Sequence, residues 1–374
     1  MMIKKFIFPA FICAAAILLI SCRVPEQRVE KEVIAVTVVE TVVETVEVEK
    51  ASPYTYELLR QMAAADNYIG SPASGHRMAF ANISADLPYA FLVQESIISE
   101  WISAGGAEGD LIIMDNMTDR EKALENAETV FGGHAEVFIQ FFSDAAVNAS
   151  VGMQAYEAGI YVIGVETPVP GFPVMGVDNY GAGRLAGKWA AGMADPVFGG
   201  WENVDRVVYL GSGDKDDKAG LRISGAKAEM VEKFGTEADD GAQGSRAVTE
   251  EGVLMSGDGG RAVSDMLKYY PDDENIIVFC LNDSVAEGVY RAALEKDRWD
   301  PDRWLIISYG LDDRGKELVR EGTIDAGIAF FPEMYGDYLV PAALTHIYGN
   351  PVPPYIFMES EAITAENIGE YFPE

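Results

Sequence analysis

The chain has 374 residues, with 60 Asp and Glu against 28 Lys and Arg, a formal net charge of -32 at pH 7, and only three histidines and three cysteines. So acidic a chain is disfavoured as a binder of nucleic acid or of an anionic membrane face, where Lys and Arg carry the affinity. His76, His134 and His346 lack the paired spacing of a zinc site, and neither a Gly-x-Ser-x-Gly elbow nor a Gly-Lys-Ser/Thr phosphate loop occurs, so enzyme chemistry has no evident home.

Lys4 and Lys5 precede a mostly apolar run from Phe6 to Ile20, broken only by Pro9, and Leu19-Ile20-Ser21-Cys22 follows. A basic start, a short apolar stretch and a small-residue exit describe a signal peptide over residues 1–21; a membrane span needs about 20 apolar residues. The Leu-Ile-Ser-Cys ending resembles the bacterial lipoprotein signal. That resemblance implies cleavage before Cys22, lipid on its sulfur, and a membrane-anchored place in the cell envelope, periplasmic or extracellular. Cys13 leaves with the signal and Cys280 falls in an apolar run, so no internal disulfide is expected.

Residues 22–75 are read as a flexible tether, because the stretch up to Pro53 is rich in Val, Glu and Thr and has no aromatic residue. Val36, Val39, Val43 and Val46 also fit a short self-associating helix, although β-branched residues weaken it. Tyr54 to Gly70 has the pattern of an amphipathic helix leading into the folded body.

From residue 76 onward short apolar runs alternate with helical patterns, which is α/β grammar. Strands are predicted at 78–83, 111–114, 137–141, 160–165, 206–210, 276–281, 305–309 and 324–329. Helices are predicted at 89–104, 119–132, 144–158, 182–194, 219–234, 260–270 and 283–296. A helix between successive strands implies parallel neighbours and right-handed crossovers. The clearest unit is the apolar run ending in Leu281-Asn282-Asp283-Ser284, after which Val285, Val289, Ala292 and Ala293 repeat at helical spacing. Asp283 or Ser284 is placed to cap that helix, and Glu287 and Arg291 to pair on its outer face. Asn282 stands at the strand's carboxyl end, where open α/β sheets bind ligands.

Gly211-Ser212-Gly213 and the run from Gly181 to Gly187 are glycine-rich, but neither has dinucleotide-binding spacing. Gly181, Gly183 and Gly187 are read instead as letting a helix pack close to the sheet. The acidic loop from Gly213 to Lys218 offers Asp216 and Asp217 either as ligand acceptors or as a solvated run, and Asp115 with Asp119 lacks the rest of a calcium loop. No metal or cofactor is expected.

Several segments in order carry a family resemblance: Leu111 to Asp115 before a helix, Glu157 to Ile163, Gly176-Val177-Asp178-Asn179, Leu281-Asn282-Asp283 with Ala286 and Gly288, Pro332 with Gly336, and Ile363 to Asn367. From about His76 to its end the chain resembles the type I periplasmic binding proteins of the ribose- and galactose-binding group. The resemblance implies an α/β fold of two doubly wound Rossmann-like lobes joined by a three-segment hinge. Residues 76–177 plus 331–357 would form the N-terminal lobe, and 178–330 plus 358–374 the C-terminal lobe.

It also implies a pocket. By position, Tyr89 matches an aromatic that stacks on a sugar face, Glu166 an acid that accepts from hydroxyls, Arg222 a donating fork opposite it, and Asn282 an amide that gives and accepts. The plain alternatives are a core Tyr89, a capping Glu166 and an outer-face Arg222. Phe141, Gly310 and Phe330 stand where ribose-binding relatives carry polar side chains. With Phe142, Tyr309 and Phe331 nearby, these aromatics favour a less hydroxylated or ring-bearing ligand such as a deoxy sugar, an aryl glycoside or a nucleoside. The function implied is a lipid-anchored solute receptor, not an enzyme, that hands a sugar-containing ligand to an ABC transporter permease. A receptor that presents its ligand to a chemoreceptor or histidine kinase is the first alternative, and an exported α/β enzyme acting on sugars or nucleosides the second.

Overall fold

The computed structural model describes residues 31–38, 42–49, 52–213 and 218–373. Residues 1–21, expected to be a signal peptide, together with Cys22 and with Asp216 and Asp217 of the acidic loop, lie outside the described residues. In the Val/Glu/Thr tract, β1 (Lys31–Val38) and β2 (Val42–Glu49) pair antiparallel with Lys31 opposite Glu49. Valine and threonine favour extended backbone, so this stretch forms a hairpin where a solvated spacer or a helix was expected.

The tether assigned up to residue 75 is also too long. Thr55 caps α1 (Tyr56–Ala64), which buries Leu59 and Ala63. The Arg60 guanidinium donates to the Asp337 carbonyl at 2.5 Å and lies 3.6 Å from the Tyr338 ring centre. Further on, the Tyr68 hydroxyl donates to Glu100 Oε1 at 2.6 Å, and the Ala73 amide to the Ala104 carbonyl at 2.9 Å. Residues 52–75 are therefore part of the folded body.

Strand and helix then alternate as β3 (Met78–Asn82), α2 (Pro88–Ser103), β4 (Leu111–Asp115), α3 (Arg120–Phe131), β5 (Val137–Phe141), α4 (Ala145–Ala158) and β6 (Tyr161–Val165). β7 (Val174–Val177) completes this series. The second series is α5 (Asn179–Phe198), β8 (Arg206–Leu210), α6 (Gly220–Phe234), β9 (Ala247–Glu250), α7 (Ser256–Tyr269), β10 (Ile276–Cys280), α8 (Asp283–Glu295), β11 (Trp304–Gly310), α9 (Asp313–Arg320) and β12 (Ala326–Ala329). The chain ends with α10 (Gly336–Ile347), β13 (Tyr355–Met358), β14 (Glu361–Ile363) and α11 (Ile368–Tyr371).

Two sheets result. The first has the order β13-β7-β6-β5-β3-β4 and is parallel throughout; the second has the order β14-β12-β11-β10-β8-β9, parallel except for the β12–β14 pair. Both are doubly wound. β3 is followed by β4 on one side and β5 on the other, and β8 by β9 and β10 in the same way, so each sheet has a switch point where a crevice opens at the carboxyl ends. Helices cover both faces, which is why strands such as β10, Ile-Ile-Val-Phe-Cys, are buried end to end and carry no polar residue. Cys280 is buried within it. The chain passes between the sheets three times: from β7 to α5, at Phe330–Phe331, and from β13 to β14.

Gly183 and Gly187 of α5 work against a helix rather than a sheet, whereas a Cβ on Gly181 would meet the Asp178 side chain that caps α5. A Cβ on Gly183 would lie 2.0 Å from the Arg222 carbonyl oxygen, and one on Gly225 would lie 2.2 Å from that of Tyr180. Only bare backbone allows α5 and α6 to approach so closely, and this contact fixes where Arg222 starts.

Candidate ligand-binding site

A cavity of about 560 Å³ opens between the carboxyl ends of the two sheets. The first lobe contributes Tyr89, at the start of α2, where Pro88 occupies the first turn and its missing amide costs nothing. It also contributes Glu166, just past β6, with φ +58°. Left-handed backbone is uncommon for a glutamate. Here the Glu166 amide bonds to the Met175 carbonyl at 2.7 Å while its carboxylate turns back to the Val177 amide at 3.2 Å.

Tyr335, fully buried just before α10, ties these groups together. Its single hydroxyl proton goes to Glu166 Oε1, so the Tyr89 hydroxyl, 2.5 Å from the Tyr335 oxygen, must be the donor in that second bond. The two rings meet edge to face at 5.8 Å and 82°. Burial raises the Glu166 carboxyl above its usual range, and the Tyr335 and Val177 hydrogen bonds oppose that rise. Glu166 Oε2 takes no hydrogen bond from any described residue, which leaves it able to accept one. Lys218, from the second lobe, donates to the Glu166 carbonyl oxygen.

In the second lobe Arg222 stands in the first turn of α6. Its Nε donates to Asn179 Oδ1 at 2.8 Å and its Nη1 to the Leu281 carbonyl at 3.2 Å, and the guanidinium lies 4.6 Å from the Phe330 ring centre. Tyr309 is buried beneath it, with its hydroxyl 3.4 Å from the Arg222 carbonyl. The outer-face alternative for Arg222 therefore fails. Asn282 borders the cavity but is committed structurally: its Oδ1 accepts from the Val285 amide at 2.9 Å and its Nδ2 donates to the Leu254 carbonyl at 3.1 Å. It, and not Asp283 or Ser284, caps α8. Glu287 and Arg291 do pair, at 2.7 Å.

Asp283 is the buried acid of the site. Ser308 Oγ donates to it at 2.5 Å and the Asp312 amide at 2.9 Å, yet burial pushes its carboxyl up to about 7. Gly310 has φ +114°, a conformation that suits glycine, and offers no side chain to a ligand.

Of the expected pocket residues, Tyr89, Glu166, Arg222, Asn282, Tyr309 and Phe330 all line this cavity. Phe141 does not. It is buried on the face of β5 that also carries Val137 and Ile139, and its carbonyl accepts from the Asn116 side-chain Nδ2 at 3.2 Å. Phe331, expected near the cleft, lines it too, whereas sequence reasoning missed Tyr335, Asp283, Lys316 and Phe372 as site residues. Only Asp283 had a local signal, its place beside Asn282. Even without Asp283, which holds its proton up to about pH 7, Glu166, Asp312, Asp313 and Glu333 outnumber Arg222 and Lys316 around the wall, so a phosphorylated ligand would meet repulsion.

Among the described residues no helix is long and apolar enough to cross a membrane. Comparison with curated protein sequences finds no match. Among solved structures, a periplasmic ribose ABC transporter protein from Conexibacter woesei is similar over 82% of this chain and 97% of its own, at 17% identity and a TM-score of 0.66. A sugar-binding protein of a sugar ABC transporter from Bacillus halodurans covers 79% of this chain and 99% of its own, at 20% identity and 0.63. A periplasmic solute binding protein from Actinobacillus succinogenes with bound D-allose covers 79% and 100%, at 16% identity and 0.61. At these identities the likeness speaks for the fold. The family described as periplasmic binding protein domain matches residues 80–351, which carry most of both lobes and the cavity lining apart from Phe372, and the chain belongs to that family.

Proposed function

We propose that this protein is a lipid-anchored extracytoplasmic receptor that captures a sugar-containing small molecule between its lobes and delivers it, unchanged, to an ABC transporter permease. The observation that carries the reading is the convergence of Tyr89 and Glu166 from one lobe with Arg222 and Asn282 from the other on a single cavity. An acceptor with an open lone pair, a planar cationic fork and aromatic faces are the groups that recognise hydroxyl-bearing rings. The solved relatives named for ribose transport and bound D-allose support this choice of ligand class. The anchor rests on Leu19 to Cys22, and the acidic surface is suited to basic permease loops.

Calorimetric titration with pentoses, hexoses and their glycosides tests the reading. Saturable one-to-one binding with recovery of unchanged ligand is expected; turnover of a bound compound, or no binding at all, would overturn it. For the anchor, a Cys22→Ala protein should be released in soluble form, and its retention in the membrane would show that lipid on Cys22 is not what holds it.

A further inference from the structure

Phe330 and Phe331 are consecutive, yet their rings serve different parts of the cavity wall. Phe330 packs under Arg222. Phe331, with φ +45°, turns through left-handed backbone that bulky residues rarely enter, and its ring stacks on Phe372 at 5.8 Å and 17°. Phe372 belongs to the C-terminal tail and also lines the cavity. It is held from two sides: Lys316 Nζ lies 4.6 Å from its ring centre, and Arg320 Nη2 donates to its carbonyl at 2.8 Å. Gly310 lines the same cavity. A Cβ there would meet only Asp283 Oδ2, at 3.5 Å, so no side chain at that position partitions the space.

We propose that the Phe331–Phe372 end of the cavity is a second subsite for an uncharged, ring-bearing substituent, which makes the ligand a glycoside or nucleoside rather than a free monosaccharide. The proposal rests on the sugar-receptor reading above and adds Phe372 as its specificity-determining residue. The chemistry of the wall sets the class. Two rings offer a stacking surface, Lys316 is already engaged by Asp313 at 3.2 Å, and Asp312 and Glu333 nearby repel anions. The cavity also has a volume of the kind that encloses a drug-sized ligand, ~300–1,000 Å³.

The test is calorimetry on the full chain with matched pairs: D-ribose and adenosine, D-galactose and 4-nitrophenyl β-D-galactoside, D-glucose and 4-nitrophenyl β-D-glucoside. In at least one pair the ring-bearing member should bind about tenfold more tightly than the free sugar, and Phe372→Ala should bring that ratio to within about twofold of unity. Should Phe372→Ala fail to fold, Phe372→Leu takes its place; it keeps apolar volume without the π face, and the ratio should fall about threefold. Free sugars binding as well as or better than their partners, or a ratio that the substitution leaves unchanged, would overturn the second subsite alone. No binding by either member of any pair would overturn the sugar-receptor reading with it.

Discussion

Tyr335→Phe removes one oxygen and almost no volume, so its effect isolates the hydroxyl that links Tyr89 to Glu166. In the native arrangement Glu166 Oε1 has two donors, the Tyr335 hydroxyl and the Val177 amide, and the Tyr89 hydroxyl donates to Tyr335. The variant strands the Tyr89 proton and takes one donor from a carboxylate that burial already disfavours. An unsatisfied buried polar group costs ~1–3 kcal/mol. At roughly 2–4 °C per kcal/mol for a unit of a lobe's size, Tm should fall by several degrees. The Glu166 carboxyl is raised by burial and held down in part by this hydrogen bond, so the variant should raise it further. The raised folded-state value means that Glu166 favours folding at low pH and that this contribution is lost as pH rises through it; the stability deficit of the variant should therefore be larger at high pH. Ligand capture through the ionised carboxylate has the opposite sign and should rise with pH, with its midpoint displaced upward in the variant. Thermal unfolding and calorimetric binding across a pH series measure both. An unchanged Tm together with an unmoved binding profile would show that the hydroxyl chain does not organise the site.

Three further outcomes follow from the same geometry. Asn282→Ala should weaken capture and also lower stability by ~0.5–2 kcal/mol through the lost cap of α8, whereas Asn282→Asp should keep the cap and lose only the bond to Leu254; chemical denaturation with parallel titrations separates the two. Asp283 holds its proton up to about pH 7 in the folded state, so its contribution to stability is present at low pH and is lost as pH rises between its ordinary value and 7. Asp283→Asn should flatten that part of the pH–stability curve, by at most about 4 kcal/mol, and Asp325, also raised to about 7, should leave a residual slope. Gly183→Ala must push α5 off α6 and should cost ~1–3 kcal/mol while weakening ligand binding through the displaced Arg222, read by denaturation and calorimetry.

What was legible in the sequence is what short-range pattern encodes. The eight predicted strands all form, because runs such as Ile276–Cys280 are apolar, β-branched and bounded by turn residues. Besides β1 and β2, whose Val/Glu/Thr composition was read as a tether, the strands missed are weakly patterned: β7 and β13 have four residues each, β14 has three, and β9 is a polar edge. α10 was missed because it is buried almost all round and contains Pro341, so neither periodicity nor propensity marks it. The same limit applies in the site. Glu166 and Asn282 announce themselves as polar residues at the ends of apolar strands, but Tyr335 lies 169 residues from the carboxylate it serves, and Phe372 enters from the tail. Phe141 shows the converse failure. A strand's end says where a residue sits, but its alternation put this ring in the core with Val137 and Ile139.

The central claim is that one ligand is held by both lobes at once. Hydrogen-exchange mass spectrometry, with and without the tightest-binding compound of the matched pairs, tests it most directly. Protection should appear together at 88–92 and around Glu166 in the first lobe, and around Arg222, at 282–284 and at 309–313 in the second. Protection confined to one lobe, or centred away from this cavity, would contradict the account.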